Sequence, residues 1–220
     1  MPSRIKFMDE SPAALVDEPM PLGQALRWVS SSEHQIKPRV QVFFAQSAYV
    51  KCVEHTESDL SSEVGGLLVG EIRTDSSRGQ TYILIEDIIP AQFTESSGTH
   101  VTFTQNSLVH LNQQLDELFP GKRTVGWYHT HPGLGVFLSG HDVWLHRHFF
   151  PDPSQVALVV DPEFSQAGFF CWQKDFKLDP THYSGFFEWS DLDDSSVIDW
   201  TNLSPVVSEM SGSVTEGGIK

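Results

Sequence analysis

Cysteine is nearly missing from this chain. Only Cys52 and Cys171 occur in 220 residues, far apart and in no Cys-x-x-Cys pair. That excludes a disulfide framework and a zinc ribbon, and leaves each thiol to act as a small buried hydrophobe. Positive charge is also scarce. Fourteen Lys and Arg stand against 29 Asp and Glu, a formal net charge of −15. A chain this acidic is repelled by nucleic-acid phosphates and by anionic membrane surfaces, so neither is an expected partner. No apolar run approaches the ~18 residues that a membrane span needs. The opening MPSRIKFMDESPAALVDEPM lacks the apolar core of a signal peptide. These absences together predict a soluble, cytoplasmic protein in a reducing compartment. What the chain does have is apolar content: hydrophobic residues make up 39% and aromatics 11%, enough for a sizeable core.

Residues 1–38 mix prolines with scattered charge and read as an N-terminal arm, with PLGQALRWV (21–29) as a short helix. From Arg39 to about residue 176 the pattern tightens into one domain. VQVFF (40–44) reads as a strand and 45–58 as a helix. Residues 63–73 and 81–90 are β-rich runs around the turn signal DSSRGQ. VTF (101–103) reads as a short strand. Leu108, Leu111, Leu115 and Leu118 then recur at helical spacing up to Pro120-Gly121. Residues 123–130 predict a strand, 139–150 a helix, and 156–160 and 167–173 two strands. The order implies an α/β domain with a mixed sheet sandwiched by helices. Residues 177–204 combine acids with aromatics, as a strap packed on the domain or a segment that binds a partner. Residues 205–220 are polar and Gly/Ser-rich and predict a disordered tail.

Chemistry concentrates in GWYHTHPGLGVFLSGHD, residues 126–142. In a strand, residues i and i+2 face one side, so His129 and His131 point together and Thr130 points away. Two imidazoles and the Asp142 carboxylate make a ligand set for a divalent metal. Catalytic zinc sites use three protein ligands and keep a fourth position for water. Taken alone, each half has a plain structural reading. Ser139-x-x-Asp142 is also a helix-capping pattern, and a His-x-His pair in a strand is commonly surface or core filler. Taken together, five specified residues at fixed spacing arise by chance in ~1 in 10⁴ chains of this length. Among the neighbours, Trp127 and Trp144 read as core, and His141 as an exposed first-turn residue. His146 and His148 fall on different helix faces and make no second metal site.

The His-x-His-Pro run, the seven residues up to Ser139 and the closing Ser-x-x-Asp resemble the signature of the JAMM (MPN+) zinc metalloproteases. That family also carries an upstream glutamate before a glycine-rich apolar run, and Glu63 in EVGGLLVG fits that place. The resemblance covers roughly residues 39–175 and suggests a compact, prokaryotic-type member. It implies a single MPN-like domain with a curved mixed sheet, and a zinc site where a strand end meets the N-terminus of the following helix. His129, His131 and Asp142 would hold one catalytic Zn²⁺, with water in the fourth position. Glu63 would act as general base on that water and pass the proton to the leaving amine. Ser139 would donate to the oxyanion.

The same resemblance implies hydrolysis of the bond after the C-terminal glycine of ubiquitin or a ubiquitin-like protein, within a precursor or a conjugate. A Gly-Gly tail suits a narrow groove because only residues without side chains let the scissile carbonyl approach closely. Thr130, Gly133 and Leu134 are the candidate groove residues. An activating or scaffold protein is a further expected partner. Two other readings stay open on sequence alone: a hydrolase of small C-terminal adducts on a sulfur-carrier ubiquitin-like protein, and a non-catalytic MPN scaffold.

Overall fold

A computed structural model of the chain describes residues 15–91 and 105–206. In chain order they form β1 (Val16–Asp17), β2 (Ala25–Ser30), β3 (Val40–Ala45), α1 (Gln46–Thr56), β4 (Gly65–Asp75) and β5 (Gln80–Pro90). There follow α2 (Gln105–Leu118), β6 (Arg123–Thr130), α3 (Gly140–Phe149), β7 (Val156–Asp161), β8 (Gln166–Cys171), β9 (Phe186–Trp189) and β10 (Leu203–Pro205).

All ten strands belong to one mixed sheet, ordered β10-β2-β9-β3-β5-β4-β6-β7-β8, with β1 alongside β4. β4 is antiparallel to β5 and β6, and β6 is parallel to β7. The register slips inside β4 against both neighbours, at Val69/Gly70 and at Leu68/Val69. Such bulges bend a strand and increase its twist. The sheet therefore curls, and the chain beyond β8 meets the segment before β3: the Arg39 amide donates to Trp172 O (2.9 Å) and the Lys174 amide to Lys37 O (2.9 Å).

Both faces are covered. α1 packs Ala48, Tyr49 and Cys52 against Val42, Phe44, Tyr128, Leu158 and Phe169. On the other face, Leu111 and Leu115 of α2 and Leu145 of α3 pack with Leu67, Val69, Trp127, Val159 and Phe170. In β7 the side chains alternate cleanly between these two cores and every residue is buried, as expected of a strand covered on both sides. The expected fold class, a curved mixed sheet between helices, is the one observed. Both cysteines are free and buried.

Several elements differ from the sequence reading. Residues 21–29 form no helix. A 3-10 turn covers Leu22–Gln24 and β2 follows it. Its helix-like spacing of apolar residues is overridden by pairing with β9 on one side and β10 on the other. Residues 177–204 contribute β9, which lies between β2 and β3 in the sheet, so residues 38 and 177 do not bound it. Trp144 is not core: it is 49% exposed, on the side of α3 opposite buried Asp142, Leu145 and His146. Leu118, the last of the leucine series, is likewise exposed. The strand expected at 101–103 and the tail beyond residue 206 lie outside the described residues. No helix is long and apolar enough to cross a membrane among the described residues.

Candidate metal centre

β6 carries His129 on the face it turns toward α3, and its partner across the ladder is Gly65. A Cβ at Gly65 would stand 2.6 Å from Tyr128 O and 3.3 Å from His129 Cβ, so glycine is what allows this close approach. The strand ends at Thr130, and the His131 amide donates to Val160 O (2.8 Å), extending the pairing with β7 by one residue. Both imidazoles are buried, at 0% and 2% exposure.

Beyond His131, the loop to α3 is shaped by Asp161, the last residue of β7 and wholly buried. Its Oδ1 accepts from the amides of Gly133 (3.0 Å) and Glu163 (3.1 Å), and its Oδ2 from the amide of Gly135 (2.7 Å). Gly133 and Gly135 take φ of +69° and +86°, which other residues adopt only under strain. Ser139 then caps α3. Its Oγ accepts from the Asp142 amide (3.2 Å), and Asp142 Oδ2 accepts from the Ser139 amide (2.6 Å), a reciprocal capping box.

The cap aims Asp142 at the histidines. Its Oδ1 is 3.5 Å from His129 Nε2 and its Oδ2 3.6 Å from His131 Nε2, while the two Nε2 atoms are 3.1 Å apart. Burial by itself would raise the Asp142 carboxyl, but the two histidines and, less, the Ser139 side chain hold it well below the usual carboxylate range. The structural and functional readings of Ser-x-x-Asp are therefore not exclusive, since the capping box leaves Asp142 directed at both histidines.

These separations test the metal reading. Four ligands at the 2.0–2.1 Å bond lengths of zinc sit about 3.4 Å apart along a tetrahedron's edges. The 3.1 Å between the two Nε2 atoms is close to that figure, and with one Asp142 oxygen as ligand the three donor atoms lie within 4.8 Å of one another, near enough to share one ion. Two imidazole nitrogens and a carboxylate, buried and converging on one point, fit a divalent cation; the three residues are a group able to hold one.

Glu63 stands two residues before β4, its side chain largely buried, with Oε1 3.9 Å from His131 Nε2. It is held there by Thr130. The Val64 amide donates to Thr130 Oγ1 (2.9 Å) and the Thr130 amide to Val64 O (2.9 Å). Thr130 is 0% exposed and faces the opposite side from the histidines, so it supports the backbone beside Glu63 and lines no groove. Gly133 and Leu134 are exposed on the loop, Leu134 at 61%.

Three neighbours escaped the sequence reading in their roles. Phe137 lies against the His131 ring (centroids 4.7 Å). Asp161 organises the loop, although Asp-Pro reads only as a turn. Trp127, read as core and indeed buried, also lies flat on the His129 ring.

Comparison with known proteins agrees with this geometry. Residues 39–150 match the family model described as JAB1/Mov34/MPN/PAD-1 ubiquitin protease. The chain is 30% identical over 168 residues to COP9 signalosome complex subunit 5 of Eremothecium gossypii, covering 69% of this chain and 38% of that one. It is 32% identical over 139 residues to 26S proteasome non-ATPase regulatory subunit 14 of Caenorhabditis elegans, covering 61% and 42%. It is 36% identical over 107 residues to NAD(+) hydrolase TcpA of a Theionarchaea archaeon, covering 48% and 29%. The chain thus spans well under half the length of each of these relatives.

Proposed function

Because the chain belongs to the JAB1/Mov34/MPN/PAD-1 family, we propose that it is a zinc-dependent isopeptidase, cutting after the C-terminal glycine of a ubiquitin-like protein. The observation that carries this reading is the buried convergence of His129, His131 and Asp142, with the Glu63 carboxylate 3.9 Å from His131 Nε2. The family's description as a ubiquitin protease supports the substrate class.

His129, His131 and Asp142 would hold the ion. Zinc, when bound, supplies a Lewis acid that polarises a carbonyl and acidifies water toward pKa ~7. Glu63 removes a proton from the attacking water and returns it to the leaving lysine amine. Ser139 Oγ, already accepting from the Asp142 amide, keeps its own proton to donate to the oxyanion of the tetrahedral intermediate. The largely buried setting of Glu63 strengthens these interactions relative to bulk water. The exposed Gly133 and Leu134 offer a wall for the substrate's extended tail.

The test combines elemental analysis with cleavage. Wild type and Glu63→Ala are expected to carry one zinc per chain, and His129→Ala with Asp142→Ala none. Wild type should cleave a ubiquitin-like–lysine conjugate, and Glu63→Ala should be slower by at least ~10²-fold. Preference for a small C-terminal adduct over the lysine isopeptide would redirect the substrate reading. Zinc binding with no cleavage of either would favour a scaffold. Wild type that takes up no zinc would overturn the proposal at its root.

A further inference from the structure

A histidine that ligates a metal is ordinarily held by a hydrogen bond from its other ring nitrogen to a carboxylate or carbonyl, which fixes the ring plane. Among the described residues His129 finds no such bond. Its Nδ1 is buried and has no hydrogen-bond partner among the described residues. What meets the ring instead is the indole of Trp127, with centroids 4.6 Å apart and planes 10° apart. The two residues are i and i+2 on β6, and both are 0% exposed.

The indole is itself anchored. Trp127 Nε1–H donates to His146 Nδ1 at 3.0 Å. His146 is 0% exposed, and burial pushes its imidazole down to about 4, so the ring is neutral and its Nδ1 is able to accept. Phe150 stacks on the indole as well (5.8 Å, 15°). His146 stands one helical turn after Asp142, on the same face of α3. The helix therefore reaches β6 at two levels: Asp142 at the histidine nitrogens, and His146 at the indole.

We propose that Trp127 and His146 are positioning residues of the metal centre, the indole setting the plane of the His129 imidazole and His146 setting the indole. The proposal rests on the metal reading above and extends it to two residues that touch neither ion nor substrate. Without the stack, the His129 ring is free to turn about its Cβ–Cγ bond, which carries Nε2 away from the point it shares with His131 and Asp142. Without His146, the indole loses the bond that selects one of its two flat orientations.

The test is zinc affinity by chelator competition on the full chain, with the visible absorption bands of the cobalt(II)-substituted protein as a report of ligand geometry. His146→Leu should weaken zinc binding ~10–100-fold and shift the cobalt bands. His146→Gln, whose amide oxygen can accept the indole proton, should restore most of both. Trp127→Phe keeps a ring but not the anchor, and should fall between. If His146→Leu lowers only the melting temperature, with wild-type affinity and spectrum, the two residues are packing alone and the proposal fails. If His146→Leu does not fold, Trp127→Phe decides, and unchanged affinity and bands there overturn it. Wild type that binds neither metal sinks the metal reading first, a result distinguishable from either of these.

Discussion

Ser139 performs two tasks with one hydroxyl. As N-cap of α3 it accepts from the Asp142 amide (3.2 Å), and under the proposed mechanism it also donates to the oxyanion. The tasks separate because glycine is nearly as good an N-cap as serine, whereas alanine is poor. Ser139→Ala should cost about 1 kcal/mol of stability and ~10²-fold in kcat. Ser139→Gly should cost only a few tenths of a kcal/mol while losing kcat to the same degree. Thermal melts alongside single-conjugate kinetics check the pair. Activity that tracks stability across the two variants would leave Ser139 as a cap and nothing more.

At the scale of elements, the loop between β6 and α3, which under the proposed function would face the substrate, hangs from the Asp161 carboxylate. Asp161→Ala withdraws the acceptor from the Gly133, Gly135 and Glu163 amides together. The expected outcome is faster hydrogen exchange at Gly133 and Gly135, with a global loss of about 2 kcal/mol. Unchanged protection at those amides would show that the loop is held by other means. The convergence of His129, His131 and Asp142 was legible in the sequence because it is local: a strand end, a turn and a helix cap place the three within fourteen consecutive residues. Glu63 was legible only through resemblance, since its nearness to His131 depends on β4 pairing with β6. Asp161 and the Trp127–His146 contact arise between elements that no local spacing connects. The β2 segment was misread for the same reason: its partners β9 and β10 lie at the far end of the chain.

For the molecule as a whole, β9 is a keystone. It runs antiparallel to β2 and parallel to β3. Its Glu188 is 1% exposed and accepts from Trp28 Nε1 (2.9 Å), Gln46 Nε2 (2.9 Å), Ser196 Oγ (2.6 Å) and the Val197 amide (2.8 Å). A buried carboxylate is tolerated when every lone pair is used, and here the donors come from β2, α1 and the segment after β9. Truncation after Lys177 should therefore abolish the single cooperative melt, not merely trim a tail. A truncated chain that still melts sharply at the wild-type temperature would refute this. The insertion of β9 also has a consequence for synthesis on the ribosome. Between the emergence of β3 and that of β9 some 140 residues must be made, about 7–30 seconds at ordinary elongation rates. Throughout that interval the nascent β3 presents a bare, apolar edge, so newly made chains need shielding that finished ones do not.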